Sequence, residues 1–499
     1  MITQLHTPLE AASWLRARIT GSLSADSRSV QAGDGLMAWP GAVSDARQYV
    51  NDVLKVGANA CLVDADGVEK YGFSGGQVAA YAGLKSAAAP IAAAYFEEPS
   101  KHLQTVAITG TNGKTSTAWW LTHALGKLHR KCAMVGTLGI GAPEALVFNG
   151  LTTPDPVLLQ QQLRRFVDEG FAACAIEASS IGIAEQRLDG TQFQVAVFTN
   201  FTQDHLDYHG SMQNYWSAKE SLFAWPALAS AVINTDDARG QFLHEKLKSS
   251  GLDVWTVSIG QPARLQAEAI QQSGRILKFF VVEGVERREV TTPAVGLYNV
   301  SNLLGVLGAM RALGVPLEDA AKACCSLPLV PGRLNTLGEA GTPLVVIDYA
   351  HTPDAIEKVL VALRPVADDR GGRLWCVFGC GGDRDTTKRP LMAAMAQKYS
   401  DHIVVTSDNP RSESPSAIIS QILLGLTRHD AQHESVHVQS DRAQAIVQAI
   451  ANAKPEDVVL LAGKGHETSQ DIGGVKYPFE DQLHARAALN ARQPVGAGS

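Results

Sequence analysis

The stretch Thr105–Ser116, which reads TVAITGTNGKTS, places a short apolar run directly before a glycine-rich turn. The run at 105–108 predicts a buried strand, and a helix is expected to begin at about Thr115. Small residues in the turn let backbone N–H groups surround phosphate oxygens, while the helix N-terminus adds partial positive charge. This stretch therefore predicts a phosphate-binding loop inside an α/β domain.

The residues of this loop are candidates for binding ATP and Mg²⁺. Lys114 would reach the β- and γ-phosphates, and the Thr115 hydroxyl would ligate the metal. Ile108 stands where the usual pattern has a glycine, so the loop is a variant. An ordinary glycine turn is the alternative, which the strand before it and the helix after it disfavour. The full set expected to bind ATP here is Gly110, Thr111, Asn112, Gly113, Lys114, Thr115 and Ser116.

Around the loop, short apolar runs alternate with helical stretches, which predicts a parallel sheet. The predicted strands are Cys132–Val135, Ala172–Ile176, Val195–Phe198 and Ala231–Ile233. Glu177 ends one of them, where a carboxylate would lie in the ligand crevice and could bind Mg²⁺. A solvated acid at a strand end is the alternative. Residues 254–295 are predicted to be β-rich, and a helix at Asn299–Leu313 follows.

The chain is predicted to be an α/β protein of three domains, at 1–102, 103–332 and 333–499. The first shows a strand at Ala60–Val63 and a small helix at Pro90–Phe96. The third is predicted to be a doubly wound, Rossmann-like unit. Its predicted strands are Leu344–Ile347, Leu374–Phe378, His402–Thr406 and Val458–Leu461, with helices near 353–364, 388–399, 415–427 and 441–453. The tail Gln493–Ser499 is expected to be disordered.

Composition indicates a globular chain without nucleic-acid or membrane partners. Of 499 residues, 45% are hydrophobic and 19% charged, and the net charge of −7 gives nucleic-acid binding no electrostatic support. Seven cysteines without a CxxC pair favour a reducing compartment over a disulfide framework. The N-terminus lacks a signal-peptide pattern, and no apolar run is long enough to span a bilayer. A cytoplasmic monomer that binds small molecules is expected.

A series of motifs along the whole chain resembles the Mur ligase family. The motifs are Gly110–Ser116, Glu177–Ser180, Thr199–Asp207, Tyr215–Lys219, Gly296–Asn302, Pro331–Arg333, Asp348–Pro353 and Gly379–Asp385. The resemblance implies ATP-dependent amide ligation, in which a carboxylate takes the γ-phosphoryl group and an amine then displaces phosphate. It also implies an N-terminal domain for the UDP-linked substrate, a central P-loop ATPase-like domain, and a C-terminal domain for the amino acid.

The resemblance assigns catalytic and nucleotide-binding roles to individual residues. Lys114, Glu177, His205 and Lys219 are implied as catalytic, and Thr115, Glu177, His205 and Lys219 as Mg²⁺ ligands, with Lys219 carried as a carbamate. Imidazole is a soft ligand for Mg²⁺, so the residue types alone would not suggest His205. Asn302 is implied beside adenine, Arg333 near the γ-phosphate and Asp348 near the ribose. His351 is an even choice between a base contact and a structural histidine.

Further matches imply a site for a UDP-linked muramoyl dipeptide. Ser27, within Asp26–Arg28, would contact uridine, and the hydroxyls of Thr152 and Thr153 would meet the peptide end. The remaining residues implied to contact this substrate are Ser179, Glu185, Arg187 and Lys219. The sequence departs from the family pattern at Trp39, Ala46, Ile181 and Glu185.

The amino-acid selector resembles the family sequence for diaminopimelate. It consists of Asp408, Asn409, Pro410 and Arg411, with Gly463 and Glu467 as further contacts. A planar guanidinium can hold the extra carboxylate of diaminopimelate bidentately, whereas lysine would leave Arg411 unpaired. Glu467 would pair with the ammonium at the distal centre. The implied reaction adds meso-2,6-diaminopimelate to UDP-N-acetylmuramoyl-L-alanyl-D-glutamate in peptidoglycan precursor synthesis.

Four alternatives remain open from the sequence. The same ligation could use lysine, or the chain could be a folylpolyglutamate synthetase, which shares the central and C-terminal blocks. The first block and Thr152–Asp155 argue against that synthetase. A nucleotide-binding regulator without ligase activity would be expected to lack Lys114, Glu177 or Lys219, and all three are present. A P-loop motor or small-molecule kinase leaves Asp408–Arg411 unexplained.

Overall fold

The computed structural model describes residues 2–41, 44–426 and 436–492. The chain forms two compact units, each made of several segments: 1–109, 121–197 and 218–231 in the first, and 110–120, 198–217 and 232–499 in the second. Within the described ranges, no helix combines the length and apolar character needed to cross a bilayer. The tail Gln493–Ser499 and the last residue of the helix predicted near 415–427 lie outside the described residues.

The first unit begins with a five-stranded parallel sheet. Its strands, in order across the sheet, are Thr3–Leu5, Val78–Tyr81, Ala60–Asp64, Gly35–Ala38 and Leu23–Ser24. The helices around them are Pro8–Arg16, Val50–Val56 and Leu84–Tyr95, with 3-10 turns at Ala46–Tyr49, Val68–Tyr71 and Pro99–His102. Ala60–Asp64 is buried along its whole length, as expected for a central parallel strand covered on both faces.

The helix predicted at Pro90–Phe96 has a different beginning in the structure. It runs from Leu84 to Tyr95, so Pro90 lies in its interior and the predicted start was wrong. Proline is typical of a helix start, because inside a helix it removes a hydrogen bond and costs about 3 kcal/mol. Here the buried Leu84 and Ala88 in the first part of the helix offset that cost.

A second set of strands includes the one that leads into the glycine-rich turn. These strands are consecutive neighbours within a larger sheet, in the order Val195–Phe198, Gln104–Thr109, Ala173–Glu177, Cys132–Gly136 and Gly139–Gly141. Helices Pro156–Asp168 and Ser180–Ala184 and the turns Pro143–Ala145 and Ser221–Ala224 accompany these strands. Ile108 is paired in parallel with Glu177, so the two strands end side by side. The parallel strands predicted at Cys132–Val135 and Ala172–Ile176 are confirmed, since both neighbouring pairs run parallel.

Four elements have residues in both units, and the second unit then continues with a β-rich segment. The four are Lys114–Lys127, Val195–Phe198, Met212–Glu220 and Ser230–Asn234. The β-rich segment predicted at 254–295 is confirmed as Asp253–Ser258, Leu265–Ser273, Ile276–Glu283 and Glu286–Pro293. Nearby helices are Leu206–His209, Ala238–Leu247, Leu297–Ala312 and Leu317–Cys324.

The rest of the second unit is a doubly wound sheet. Its strands, in order, are Asn335–Leu337, Leu344–Asp348, Val458–Ala462, Leu374–Phe378, His402–Val405 and Val436–Val438. Its helices are Pro353–Asp369, Lys388–Tyr399, Pro415–Leu423, Arg442–Asn452 and Asp481–Ala491, and a hairpin is formed by Ser469–Ile472 and Val475–Pro478. All strands but the first run parallel, so their carboxyl ends share one edge, where ligands bind in such sheets.

Candidate active site

Two glycines of the 110–116 loop are required by close neighbours. Gly110 has φ +146°, and a Cβ there would collide with Thr199 Oγ1. Gly113 has φ +88°, and a Cβ there would collide with the side-chain amide of Asn302. The loop therefore lies tightly against the residues that follow strand Val195–Phe198 and against helix Leu297–Ala312. This places Asn302 beside the turn, and its contact with adenine stays a prediction.

Two cationic side chains converge on the loop. Lys114 Nζ donates to the carbonyl oxygens of Gly110 and Thr111, each at 2.9 Å. Arg333 Nη2 donates to Thr115 Oγ1 at 3.2 Å, although the two residues are 218 positions apart. The Arg333 guanidinium also lies 4.5 Å from the ring centre of Tyr349. Two positive charges beside a glycine-rich turn at a helix N-terminus suit a polyphosphate.

Asn200 organises the middle of the loop and was not identified from the sequence. Its Oδ1 accepts from the Asn112 backbone N–H at 2.9 Å, and its Nδ2 donates to the Asn112 carbonyl at 3.0 Å. Thr199 Oγ1 donates to the same carbonyl at 2.6 Å. Its position two residues after a buried parallel strand is the signal that could have identified Asn200. The Asn112 side chain itself donates to Asp354 at 2.8 Å.

Asp348, expected near the ribose, makes two backbone contacts. Its Oδ2 accepts from Leu334 N at 2.9 Å, and its Oδ1 accepts from Ala350 N at 2.8 Å. Burial raises the pKa of this carboxyl, and the nearby Arg333 opposes the increase. The carboxylate thus fixes the residue that follows Arg333 and the turn that leads to His351. Contact with a ribose stays a prediction.

His205 lies at a buried ion pair that sequence reasoning did not find. Its backbone has φ +55°, and its Nε2 is 3.6 Å from Asp204 Oδ2. Lys388 Nζ donates to Asp204 Oδ1 at 3.0 Å, and His351 Nε2 is 3.7 Å from Oδ2. Burial raises the pKa of Asp204, but Lys388 and the two histidines together hold it well below its usual range. Asp204 is therefore a buried anion beside the expected metal ligand.

In the first unit, Glu177 is fully buried at the end of its strand. Its Oε1 accepts from the Thr137 backbone N–H at 2.8 Å, and its Oε2 lies 3.3 Å from Thr137 Oγ1. That hydroxyl is also 3.0 Å from Thr152 Oγ1. Thr137 thus joins the expected metal ligand to the expected substrate loop, and it was not identified from the sequence.

The same unit brings three predicted substrate residues together. Thr153 Oγ1 donates to the Glu177 carbonyl at 2.7 Å and lies 2.8 Å from Ser179 Oγ. Arg187 Nη1 donates to the Thr153 carbonyl at 2.9 Å. Ser179 also caps the helix Ser180–Ala184 by accepting from Gly182 N. Thr153, Ser179 and Arg187 therefore form one hydrogen-bonded group.

The other residues predicted for this substrate have different surroundings. Glu185 Oε2 is 2.7 Å from Lys85 Nζ, so a cation from the N-terminal sheet region already faces it. Ser27 is half-buried in a turn that Arg28 closes by pairing with Asp26 at 2.7 Å. Lys219 is only 1% exposed at the end of its helix.

The selector residues lie beyond the carboxyl ends of parallel strands in the second unit. Arg411 has φ +50°, its N donates to the Asp471 carbonyl at 3.0 Å, and its Nη1 donates to the Gly382 carbonyl at 2.6 Å. Gly463 faces Asp408, and Asn409 Nδ2 donates to Glu467 Oε2 at 2.9 Å. Pro410 precedes Arg411, and its carbonyl accepts from Glu413 N. The structure therefore brings all six predicted selector residues to one edge.

Comparison with known proteins identifies the family. Residues 108–310 match the Mur ligase middle domain, and residues 332–465 match the Mur ligase, glutamate ligase domain. A UDP-N-acetylmuramoyl-L-alanyl-D-glutamate--2,6-diaminopimelate ligase of Acidovorax sp. (strain JS42) is 56% identical, over 98% of this chain and 99% of the relative. The equivalent ligase of Janthinobacterium sp. (strain Marseille) is 47% identical over 97% of each chain. A solved structure of a ligase with the same name has a TM-score of 0.63, 32% identity and 94% coverage of both chains. The chain belongs to the Mur ligase family.

Proposed function

We propose that this ligase uses ATP to join meso-2,6-diaminopimelate to the D-glutamyl carboxylate of UDP-N-acetylmuramoyl-L-alanyl-D-glutamate. The observation that carries the substrate choice is the position of Arg411 beyond the strand ends, where its Nη1 donates to the Gly382 carbonyl. Arg411 lies two residues after Asn409, whose side chain donates to Glu467. A guanidinium and a carboxylate presented at the same edge match an amino acid with a carboxylate and an ammonium at its distal centre. The relatives named for this reaction support the same choice along nearly the whole chain.

The first step of the reaction requires cations that stabilise the negative charge of the transferred phosphoryl group. The second step requires an amine aligned with the acyl carbon. In the first step, a substrate carboxylate oxygen attacks the γ-phosphorus, ADP leaves, and an acyl phosphate forms. Lys114 and Arg333, which both contact the loop, are proposed to stabilise the charge on the transferred group. In the second step, the amine attacks the acyl carbon, loses a proton and releases phosphate.

Mg²⁺ is proposed to be held by Thr115, Glu177, His205 and Lys219. A hydroxyl and a buried carboxylate are oxygen ligands of the kind that Mg²⁺ prefers. An ammonium at Lys219 would oppose the ion, whereas a carbamate, formed from the neutral amine and CO₂ with loss of a proton, would supply an anionic oxygen. When bound, the ion would neutralise phosphate charge. Among the described residues, no three His, Cys, Asp or Glu side chains cluster as a metal site by themselves.

Domain roles follow the same proposal. Residues 1–102 would bind the UDP end, with Ser27 at uridine, and residues 103–332 would bind ATP. Residues 333–499 would bind the amino acid. The enzyme is proposed to act as a cytoplasmic monomer whose partners are its three small-molecule substrates.

Phosphate release with a panel of amino acids tests the proposal. Release should require the UDP-linked dipeptide, ATP and meso-diaminopimelate together, because acyl phosphate turnover needs an acceptor amine. L-Lysine should be a poor acceptor, since it leaves the Arg411 guanidinium without its carboxylate. Equal turnover of L-lysine and diaminopimelate would contradict the substrate choice.

The variant Arg411→Ala tests whether this one side chain contributes to binding of diaminopimelate. It should raise KM for diaminopimelate by about tenfold or more, the effect of losing a charge-assisted hydrogen bond, and leave KM for ATP nearly unchanged. Arg486→Ala, on the exposed face of the helix Asp481–Ala491, is the control and should change neither constant. An unchanged KM for diaminopimelate in Arg411→Ala would remove this arginine from the site.

A further inference from the structure

Lys464 is a fully buried cation beside the selector residues, and the proposed reaction assigns no role to it. Its side chain is 0% exposed, directly after Gly463 at the end of strand Val458–Ala462. Burying an ammonium costs free energy that a single ion pair seldom recovers. An apolar side chain in this position would therefore stabilise the fold about as well as the lysine does.

Within the described residues, both side-chain hydrogen bonds of Lys464 go to predicted selector residues. Its Nζ donates to Asn409 Oδ1 at 3.0 Å and to Glu467 Oε2 at 2.8 Å. Asn409 Nδ2 donates to the same Glu467 oxygen at 2.9 Å. Asp471 N donates to Asn409 Oδ1 at 3.0 Å, which fixes the amide orientation. Lys464, Asn409 and Glu467 thus form a closed triangle.

This triangle leaves one carboxylate oxygen available. Lys464 Nζ and Asn409 Nδ2 both donate to Oε2 of Glu467. In the described part of the chain, no group donates a hydrogen bond to Oε1. The Glu467 side chain is 29% exposed, so a ligand can reach it from solvent. Two donors on one oxygen fix the direction of the other oxygen.

We propose that Lys464 is a positioning residue for amino-acid specificity, which orients Glu467 so that Oε1 meets an ammonium of the incoming amino acid. The proposal rests on the proposed function of the selector residues. Lys464 does not touch the substrate. It acts through the Glu467 carboxylate and the Asn409 amide, and its effect belongs to the amino acid and not to ATP or the UDP-linked substrate.

Lys464→Met tests this, because methionine has a similar length and suits a buried position. KM for diaminopimelate should rise about tenfold, as expected for loss of a charged hydrogen-bond donor, while KM for ATP and for the UDP-linked dipeptide stays within about twofold. Lys476→Met, the same change on the exposed strand Val475–Pro478, should alter none of the three. If the methionine variant does not fold, Lys464→Gln replaces it.

Glu467→Gln provides the second arm of the experiment. In that background Lys464→Met should add little to KM for the amino acid, because both changes remove the same oriented carboxylate. An unchanged KM in Lys464→Met, an equal rise in all three KM values, or full additivity with Glu467→Gln would each overturn the proposal. If the wild-type enzyme turns over another amino acid instead, the proposed function fails, and the Lys464 comparison is made with that amino acid.

Discussion

Gly463 is a backbone position on which the geometry of the proposed amino-acid site depends. Its φ is +114°, and a Cβ there would lie 2.5 Å from Asp408 Oδ2. Gly463→Ala should therefore lower the free energy of unfolding by about 1–3 kcal/mol through backbone strain and displace Asp408. KM for the amino acid should rise at the same time. Urea unfolding and steady-state kinetics measure the two effects.

Gly371→Ala is the matched control for that change. Gly371 has φ +70° after the helix Pro353–Asp369, and a Cβ added there would have no neighbour within 4 Å. The variant should lose about 1 kcal/mol of stability from the backbone alone and keep the wild-type KM. Equal KM values in the two alanine variants would show that the contact with Asp408 does not matter for binding.

Individual residues differed in how far the sequence could predict them. The family resemblance predicts Arg411 and Glu467 as contacts of the amino-acid substrate, and the structure brings both residues to one edge of the sheet. Lys464 and Asp204 were missed because a charged residue in a loop is normally solvated, and burial depends on chain segments far away in sequence. The positive φ of His205 likewise follows from tertiary packing and has no local signal.

At the scale of elements, the helix Pro156–Asp168 connects the predicted substrate loop to the sheet. Asp155 caps it, and its Oδ1 accepts from Val157 N and Leu158 N, each at 3.0 Å. Asp155→Ala should cost about 1 kcal/mol of stability and loosen Thr152 and Thr153, which precede the cap. KM for the UDP-linked dipeptide should rise, as measured by phosphate release at varied dipeptide.

Asp441→Ala separates the cap from the loop. Asp441 caps the helix Arg442–Asn452 by accepting from Gln444 N at 3.1 Å. Its loss should cost a similar amount of stability without changing KM for the dipeptide. If both alanine variants bind the dipeptide like the wild type, the cap does not control the loop.

Elements were predicted best where they are buried and short. Apolar runs such as Leu374–Phe378 and Val458–Ala462 are continuous because parallel strands are covered on both faces, and this leaves a clear sequence signal. Helix starts are set by weaker, local preferences. The helix Leu84–Tyr95 begins six residues before Pro90 because tertiary burial outweighs the proline signal.

At the scale of the whole molecule, contacts between distant parts of the sequence hold the second unit together. Asp204 and Lys388 are 184 positions apart, and their side chains are 5% and 8% exposed. Lys388→Met would leave a buried carboxylate with less compensation, so the free energy of unfolding should fall by about 3 kcal/mol. Urea unfolding of the full chain measures the loss. The domain limits at 102 and 332 stay a prediction.

A double variant and a surface control complete this test. Asp204→Asn combined with Lys388→Met removes both charges and should lose less stability than the sum of the single changes, because neither partner is left buried and unpaired. Lys358→Met breaks the more exposed pair with Asp354, at 3.0 Å, and should cost no more than about 0.5 kcal/mol. If Lys388→Met were no more costly than Lys358→Met, the buried pair could not be what joins these distant segments. Additive losses in the double variant would lead to the same conclusion, since two residues that depend on each other cannot contribute independently.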